Sequence, residues 1–68
     1  MFKIIVRKNY KDNRRYYKPG DLLEDGNGNH LAFDTIDDTV THIKEHAGEH
    51  IYNEKVLDWW PEIGGGDK

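Results

Sequence analysis

The chain has no cysteine and no serine. Without cysteine there is no disulfide staple, no thiolate metal ligand and no thiol nucleophile. Without serine a Ser-His-Asp triad is impossible. No stretch approaches the roughly 18 apolar residues of a membrane span. Ile4, Ile5 and Val6 lie between Lys3 and Arg7, a run too short for a secretory signal. Neither Gly-x-x-x-x-Gly-Lys nor Gly-x-Gly-x-x-Gly occurs, so no nucleotide-binding loop is visible. These absences are what a protein of a reducing compartment shows, and they lead to the expectation of a cytoplasmic chain.

Length is the next constraint. With 68 residues the chain makes one domain. A chain of this size buries only about 60% of its unfolded surface. A single core of this size seldom supplies more than about 3–5 kcal/mol. One domain over 1–63, followed by a flexible tail over 64–68 ("GGGDK"), is expected.

Charge is distributed unevenly. Lys3, Arg7, Lys8, Lys11, Arg14, Arg15 and Lys18 stand against Asp12 alone in residues 1–18, a net of +6. Residues 19–68 carry three lysines against twelve acids, a net of −9, so the chain as a whole has a charge of −3. The two halves either attract each other within one fold or present a charged patch to a partner.

"FKIIVRKNY" alternates with period two and is rich in β-branched residues, the pattern of a strand. "KDN" is turn-prone and "RRYYK" resumes the extended pattern. A first hairpin of residues 2–10 against 14–18 follows. Pro19 and Gly20 suit the two central positions of a type II turn. The Asp-Gly and Asn-Gly steps of "DLLEDGNGNHLAF" suggest a short third strand or a second hairpin. Thr35 is a good N-cap, and Asp37 and Asp38 place negative charge at the positive end of a helix. Ile36, Val40, Ile43 and Ala47 then form one apolar stripe, and Gly48 ends it. The spacing predicts a helix over 36–47. "HIYNEKVLDWW" reads as a closing strand, with room for a kink at Asn53–Glu54, that Pro61 terminates. The expected fold is α+β: an antiparallel sheet of three to four strands with one helix on one face, in the order β-β-(β)-α-β.

Two adjacent tryptophans in a strand point to opposite faces. Trp59 shares a face with Leu57 and is expected under the helix. Trp60 shares the other with Val56 and Asp58 and is expected to look outward, against Ile5, Tyr16 or Tyr17. An outward Trp is a candidate binding anchor, so Trp60, Tyr16 and Tyr17 form the candidate partner-binding patch. The basic residues Arg7, Arg14, Arg15 and Lys18, interleaved with tyrosines, supply the alternative, a surface for nucleic acid. A homodimer covering the open sheet face is a third reading.

Catalytic and metal chemistry find little support. His42 and His46 stand four apart on the expected helix, but His-Glu-x-x-His is absent and two solvated imidazoles are the simpler reading. Asp25, Asn27 and Asn29 imitate the start of a calcium loop, yet His30 stands where it needs Gly and Ile36 where it needs Glu. Thr35, Thr39 and Thr41 are accounted for by capping and helix surface. A single sheet layer with one helix offers little concavity for a catalytic pocket. The chain is read as a non-enzyme that needs no metal and no cofactor.

The stretch "HLAFDTIDDTVTHIKEHA", closed by "YNEKVLDW", resembles small proteins encoded by phages and prophages of Gram-positive bacteria. The likeness covers roughly residues 30–60 and, more loosely, the N-terminal hairpin. It implies a compact α+β accessory protein that binds and modulates a host or defence protein. No site residue carries over from it.

Overall fold

The computed structural model describes residues 1–12 and 15–61. The described chain runs β1 (Phe2–Val6), β2 (Tyr10–Asp12), β3 (Arg15–Tyr17), α1 (Ile36–His46), α2 (Glu49–Asn53) and β4 (Leu57–Pro61). The fold is α+β, with two small antiparallel sheets, β1 with β4 and β2 with β3. The expected tail at 64–68 lies outside the described residues.

The expected first hairpin is corrected in its pairing. β1 does not pair with 14–18; it pairs with β4, the other end of the chain, in the register Phe2↔Pro61, Ile4↔Trp59 and Val6↔Leu57. The chain leaves the ladder after Arg7, and β2 forms its own short hairpin with β3. The reason is burial. Ile4, Val6 and Leu57 are fully inaccessible, and an alternating apolar strand needs a partner whose alternation matches. Leu57 and Trp59 provide that match, whereas "RYY" offers only Tyr17 to the core.

β1 is bonded along its other edge too. Phe2 and Phe33 exchange two hydrogen bonds of 2.8 Å, the Leu23 N–H donates to the Ile4 carbonyl at 2.9 Å, and the Val6 N–H to the Asp21 carbonyl at 2.8 Å. The segment between is set by two turns. At Lys18–Asp21 the Asp21 N–H closes on the Lys18 carbonyl at 3.0 Å, and Gly20 takes the positive φ of 99° that the Pro-Gly step foreshadows. In the second, the Asp25 carboxylate accepts the N–H groups of Asn27 (2.7 Å) and Asn29 (3.0 Å), and Glu24 bridges to His30.

Helix α1 starts as expected: the Thr35 hydroxyl accepts the Asp38 N–H at 3.0 Å. Its buried face is rotated from the expected stripe. Thr39 and Ile43 are the buried positions, and Ile36 is 37% exposed. Thr39 is therefore an interior residue, not a surface one. Its hydroxyl donates to the Thr35 carbonyl at 2.9 Å, which removes the penalty of an unpaired buried polar group.

The second correction concerns residues 49–53, which form α2 instead of the first half of a strand. Extended backbone would place His50, Tyr52 and Glu54 on one face and Ile51 and Asn53 on the other, so neither would be apolar. Helical backbone lets Ile51 and Tyr52 both pack against the core. α2 closes with a Schellman pattern: the Val56 N–H reaches the Ile51 carbonyl and the Lys55 N–H the Tyr52 carbonyl, both at 3.0 Å. Lys55 occupies the left-handed position (φ 60°) that usually falls to glycine. The core at the centre of these elements is Ile4, Val6, Tyr17, Leu23, Ile43 and Leu57.

Candidate functional site

Strand alternation splits β1 and β4 into two faces. Ile4, Val6 and Leu57 enter the core. Lys3, Ile5, Asp58 and Trp60 lie on the reverse, where the register places Ile5 opposite Asp58 and Lys3 opposite Trp60. Arg7 continues the alternation just beyond β1, its N–H donating to the Val56 carbonyl at 2.8 Å. Leu22 bridges to Ile5 from the other edge. Because α1 packs through Ile43 on the core side, these residues form the sheet face that α1 leaves uncovered.

The two indoles part as the alternation requires. Trp59 reaches the core side, but at its margin: its ring meets Phe2 edge-on with centroids 6.1 Å apart, and it is only half-buried. Trp60 points the other way and is 40% exposed. Its expected neighbours Tyr16 and Tyr17 are replaced by the Arg7 guanidinium, whose carbon stands 5.9 Å from the ring centroid. Asp58 sits beside this pair. One carboxylate oxygen accepts the Trp59 N–H at 2.9 Å, and the other lies 3.9 Å from the Arg7 guanidinium.

The free edge of β4 is blunted. The Arg7 N–H bonds to the Val56 carbonyl, and the antiparallel alternation then makes Ile5–Asp58 and Lys3–Trp60 the bonded pairs of the ladder. Leu57, Trp59 and Pro61 then turn their backbone groups to the outer edge. The Trp59 N–H is already taken by Asp58, and Pro61 has none. An incoming strand finds few donors there.

The remaining sequence-derived residues are dispersed. Tyr17 is 5% exposed and belongs to the core, so it does not join Trp60 in an outward patch. Tyr10 packs at a tilt against it, ring centroids 6.3 Å apart. Burial, then Asp12 and Tyr17, raise the Tyr10 phenol above its usual range. Tyr16 is 73% exposed, with the Lys11 ammonium 5.3 Å from its ring centroid. Arg15, though exposed, forms an ion pair with Glu24 and lies over the Tyr17 ring at 5.6 Å. The Lys18 N–H donates to the Asp21 carboxylate at 2.8 Å in its turn. Arg14 lies outside the described residues. Arg7, Arg15 and Lys18 thus belong to a sheet face, an ion pair and a turn.

A cleft of about 400 Å³ opens between the β2–β3 hairpin, α1 and the 23–26 segment, more concavity than the element count suggested. His42 and His46 line it together with Asp12, Arg15 and Glu24. The two imidazoles stack nearly parallel, 12° apart with centroids at 5.4 Å. His42 also packs on Phe33 at 5.1 Å, and His46 Nε2 lies 3.4 Å from the Asp12 carboxylate. Burial, then the neighbouring His46, lower the His42 pKa, against a smaller opposing effect of Glu45. Stacking keeps the two rings from converging on one point, and among the described residues no three His, Asp or Glu side chains are placed to hold a metal ion. The sequence carried no signal for this cleft, because Asp12 and His46 meet across 34 positions.

Among the described residues no helix is long and apolar enough to cross a membrane. Comparison with protein-family models, with curated protein sequences and with solved structures finds no match.

Proposed function

We propose that this chain is a non-enzymatic protein-binding module whose contact surface is the open face of the β1–β4 sheet, centred on Trp60. The observation that supports this reading is the setting of that indole. It stands 40% exposed on a sheet face that α1 leaves uncovered, beside the Arg7 guanidinium. Tryptophan and arginine are the residues in which interface energy concentrates, and an indole under a guanidinium is held in place before a partner arrives. Tyr16, on the separate hairpin, is a secondary contact. In this reading the module acts in the cytoplasm, as phage- or prophage-encoded accessory proteins do when they modulate a host or defence protein.

The test is affinity recovery with the wild-type chain and with Trp60→Ala, followed by reconstitution of the recovered complex from purified components. Loss of the complex in the variant, with circular dichroism unchanged, supports the reading. Equal affinity of variant and wild type removes Trp60 from it. Light scattering on the chain alone checks the homodimer, and a monomeric mass at high concentration excludes that occupant of the face.

The nucleic-acid reading fares less well on geometry. A polyanion needs cations in a row along its backbone, and Arg15 is committed to Glu24 while Arg7 has Asp58 beside it.

A further inference from the structure

Among the asparagines of the chain, only Asn27 stands before a glycine. Asn9, Asn13, Asn29 and Asn53 precede Tyr10, Arg14, His30 and Glu54. The difference bears on the chain's own chemistry. The carboxamide carbon of an asparagine is an electrophile, and the backbone nitrogen of the next residue is one ring closure away from it. A side chain on that next residue crowds the nitrogen, and glycine carries none.

The turn presents this pair openly. Asn27 and Gly28 are both exposed, and a Cβ on Gly28 would meet no atom within 4 Å. The Asn27 side-chain amide makes no hydrogen bond among the described residues; only its backbone N–H is engaged, donating to the Asp25 carboxylate at 2.7 Å. The Gly28 N–H, which ring closure must give up, is weakly held. It reaches the Asp25 carbonyl at 3.3 Å, against 2.7 Å for the Asp25 N–H to the Asn29 carbonyl. Asp25 also precedes a glycine, but an ionised carboxylate is a poor electrophile, and one of its oxygens already accepts two N–H groups.

We propose that Asn27 is a self-modification site, which deamidates through a succinimide formed with the Gly28 nitrogen. The Gly28 nitrogen loses its proton and attacks Asn27 Cγ. The bond from Cγ to the side-chain nitrogen breaks, and that nitrogen leaves as ammonia with the proton. Water then opens the ring at Cγ, leaving aspartate, or at the main-chain carbonyl, leaving isoaspartate with its backbone routed through the side chain. The reaction needs only water. Either product moves the net charge of −3 one unit further negative, on the segment that holds Glu24 and Asp25. Asp25 and Gly26 line the cleft that His42 and His46 face. The succinimide has no N–H at Gly28, so the bond to Asp25 is lost. Isoaspartate lengthens the backbone inside the turn that pairs Glu24 with His30. One wall of the cleft thus changes irreversibly, while the β1–β4 ladder, which has no residue in this turn, is left intact.

The test incubates the purified full chain, folded, at neutral and at mildly alkaline pH. Peptide mass spectra, released ammonia and labelling by an isoaspartyl methyltransferase report the products. Asn27 is expected to convert first and nearly alone, and faster at the higher pH, because the Gly28 nitrogen must lose its proton. The amide signals of Glu24, Asp25 and His30 in ¹⁵N-correlation spectra are expected to shift as it converts, with those of Ile4, Val6 and Leu57 unmoved. Gly28→Ala has open space for its methyl but strains a φ of 89°, so Asn27→Gln, which leaves the backbone as it is, serves beside it. Gly28→Ala is expected to retain Asn27 over the same period, and Asn27→Gln to release no ammonia from the turn. Another asparagine converting ahead of Asn27, a product without isoaspartate, or an equal rate in Gly28→Ala overturns the proposal. So does conversion that occurs only once urea has unfolded the chain.

Discussion

Gly48 joins the two helices in a conformation that an L-residue rarely adopts, with φ 107° and ψ 146°. It is the residue after the α1 cap, and its N–H closes on the Lys44 carbonyl at 3.1 Å. Replacing it with alanine has two separable effects. The backbone strain of a non-glycine residue in such a region is about 1–3 kcal/mol. The added Cβ also meets Cε1 and Nδ1 of the His50 ring at 3.2 Å, a contact the exposed His50 can relieve by rotating. The backbone term therefore dominates, and Gly48→Ala is expected to cost about 2 kcal/mol. A chain of this length has a total stability of roughly 3–10 kcal/mol, so the loss is a large share of it. It corresponds to a fall in Tm of about 8–16 °C. Urea denaturation followed by tryptophan fluorescence and circular dichroism measures it. One control apportions the effect: His50→Ala in the Gly48→Ala background removes only the steric part. A Gly48→Ala chain within about 0.5 kcal/mol of wild type would refute the reasoning.

Further expectations concern the core, the cap and one imidazole. Leu57→Ala opens a cavity at a fully buried site and is expected to cost about 2–5 kcal/mol, a large share of the total stability. Ile36→Ala, at an exposed position of α1, is expected to cost well under half as much; equal urea midpoints for the two variants would contradict the burial pattern. Thr35→Ala removes the acceptor for the Asp38 N–H and is expected to cost about 1 kcal/mol, with Thr35→Ser restoring most of it. His42 has a folded pKa below its usual 6.5 because burial and His46 disfavour its charge. The unfolded chain binds that proton more readily, so stability is full above about pH 6.5 and declines as the pH falls through the folded pKa. His42→Gln is expected to shrink the drop in urea midpoint between pH 7.5 and 5; an unchanged drop would assign it to other groups.

How much of this was legible beforehand differs by element. The Thr35 cap, the extent of α1 to within a residue, the Gly20 turn and the opposed tryptophans all follow from local rules, because a cap, a turn and a strand's alternation involve residues close in sequence. The strand character of Phe2–Val6 was equally plain, but its partner was not. Sequence proximity favoured the neighbouring "RRYYK", and the buried faces favoured Leu57–Pro61. The helix at 49–53 is not legible in the sequence, because a five-residue helix leaves too short a pattern to separate from a strand. Tyr17 looked like Tyr16 in sequence and differs in fate only because it is the one that faces the core.

The candidate sites divide in the same way. The outward Trp60 was readable, because adjacent strand residues must diverge. Its companions were not: Arg7 and Trp60 stand at opposite ends of the chain and meet only through the β1–β4 register. The His42–His46–Asp12 cleft likewise exists because the hairpin folds back onto α1. Local backbone preference settled which segments bend, coil or extend. Which of them touch was decided by the need to bury Ile4, Val6, Ile43 and Leu57 together, since only tertiary packing removes those side chains from water.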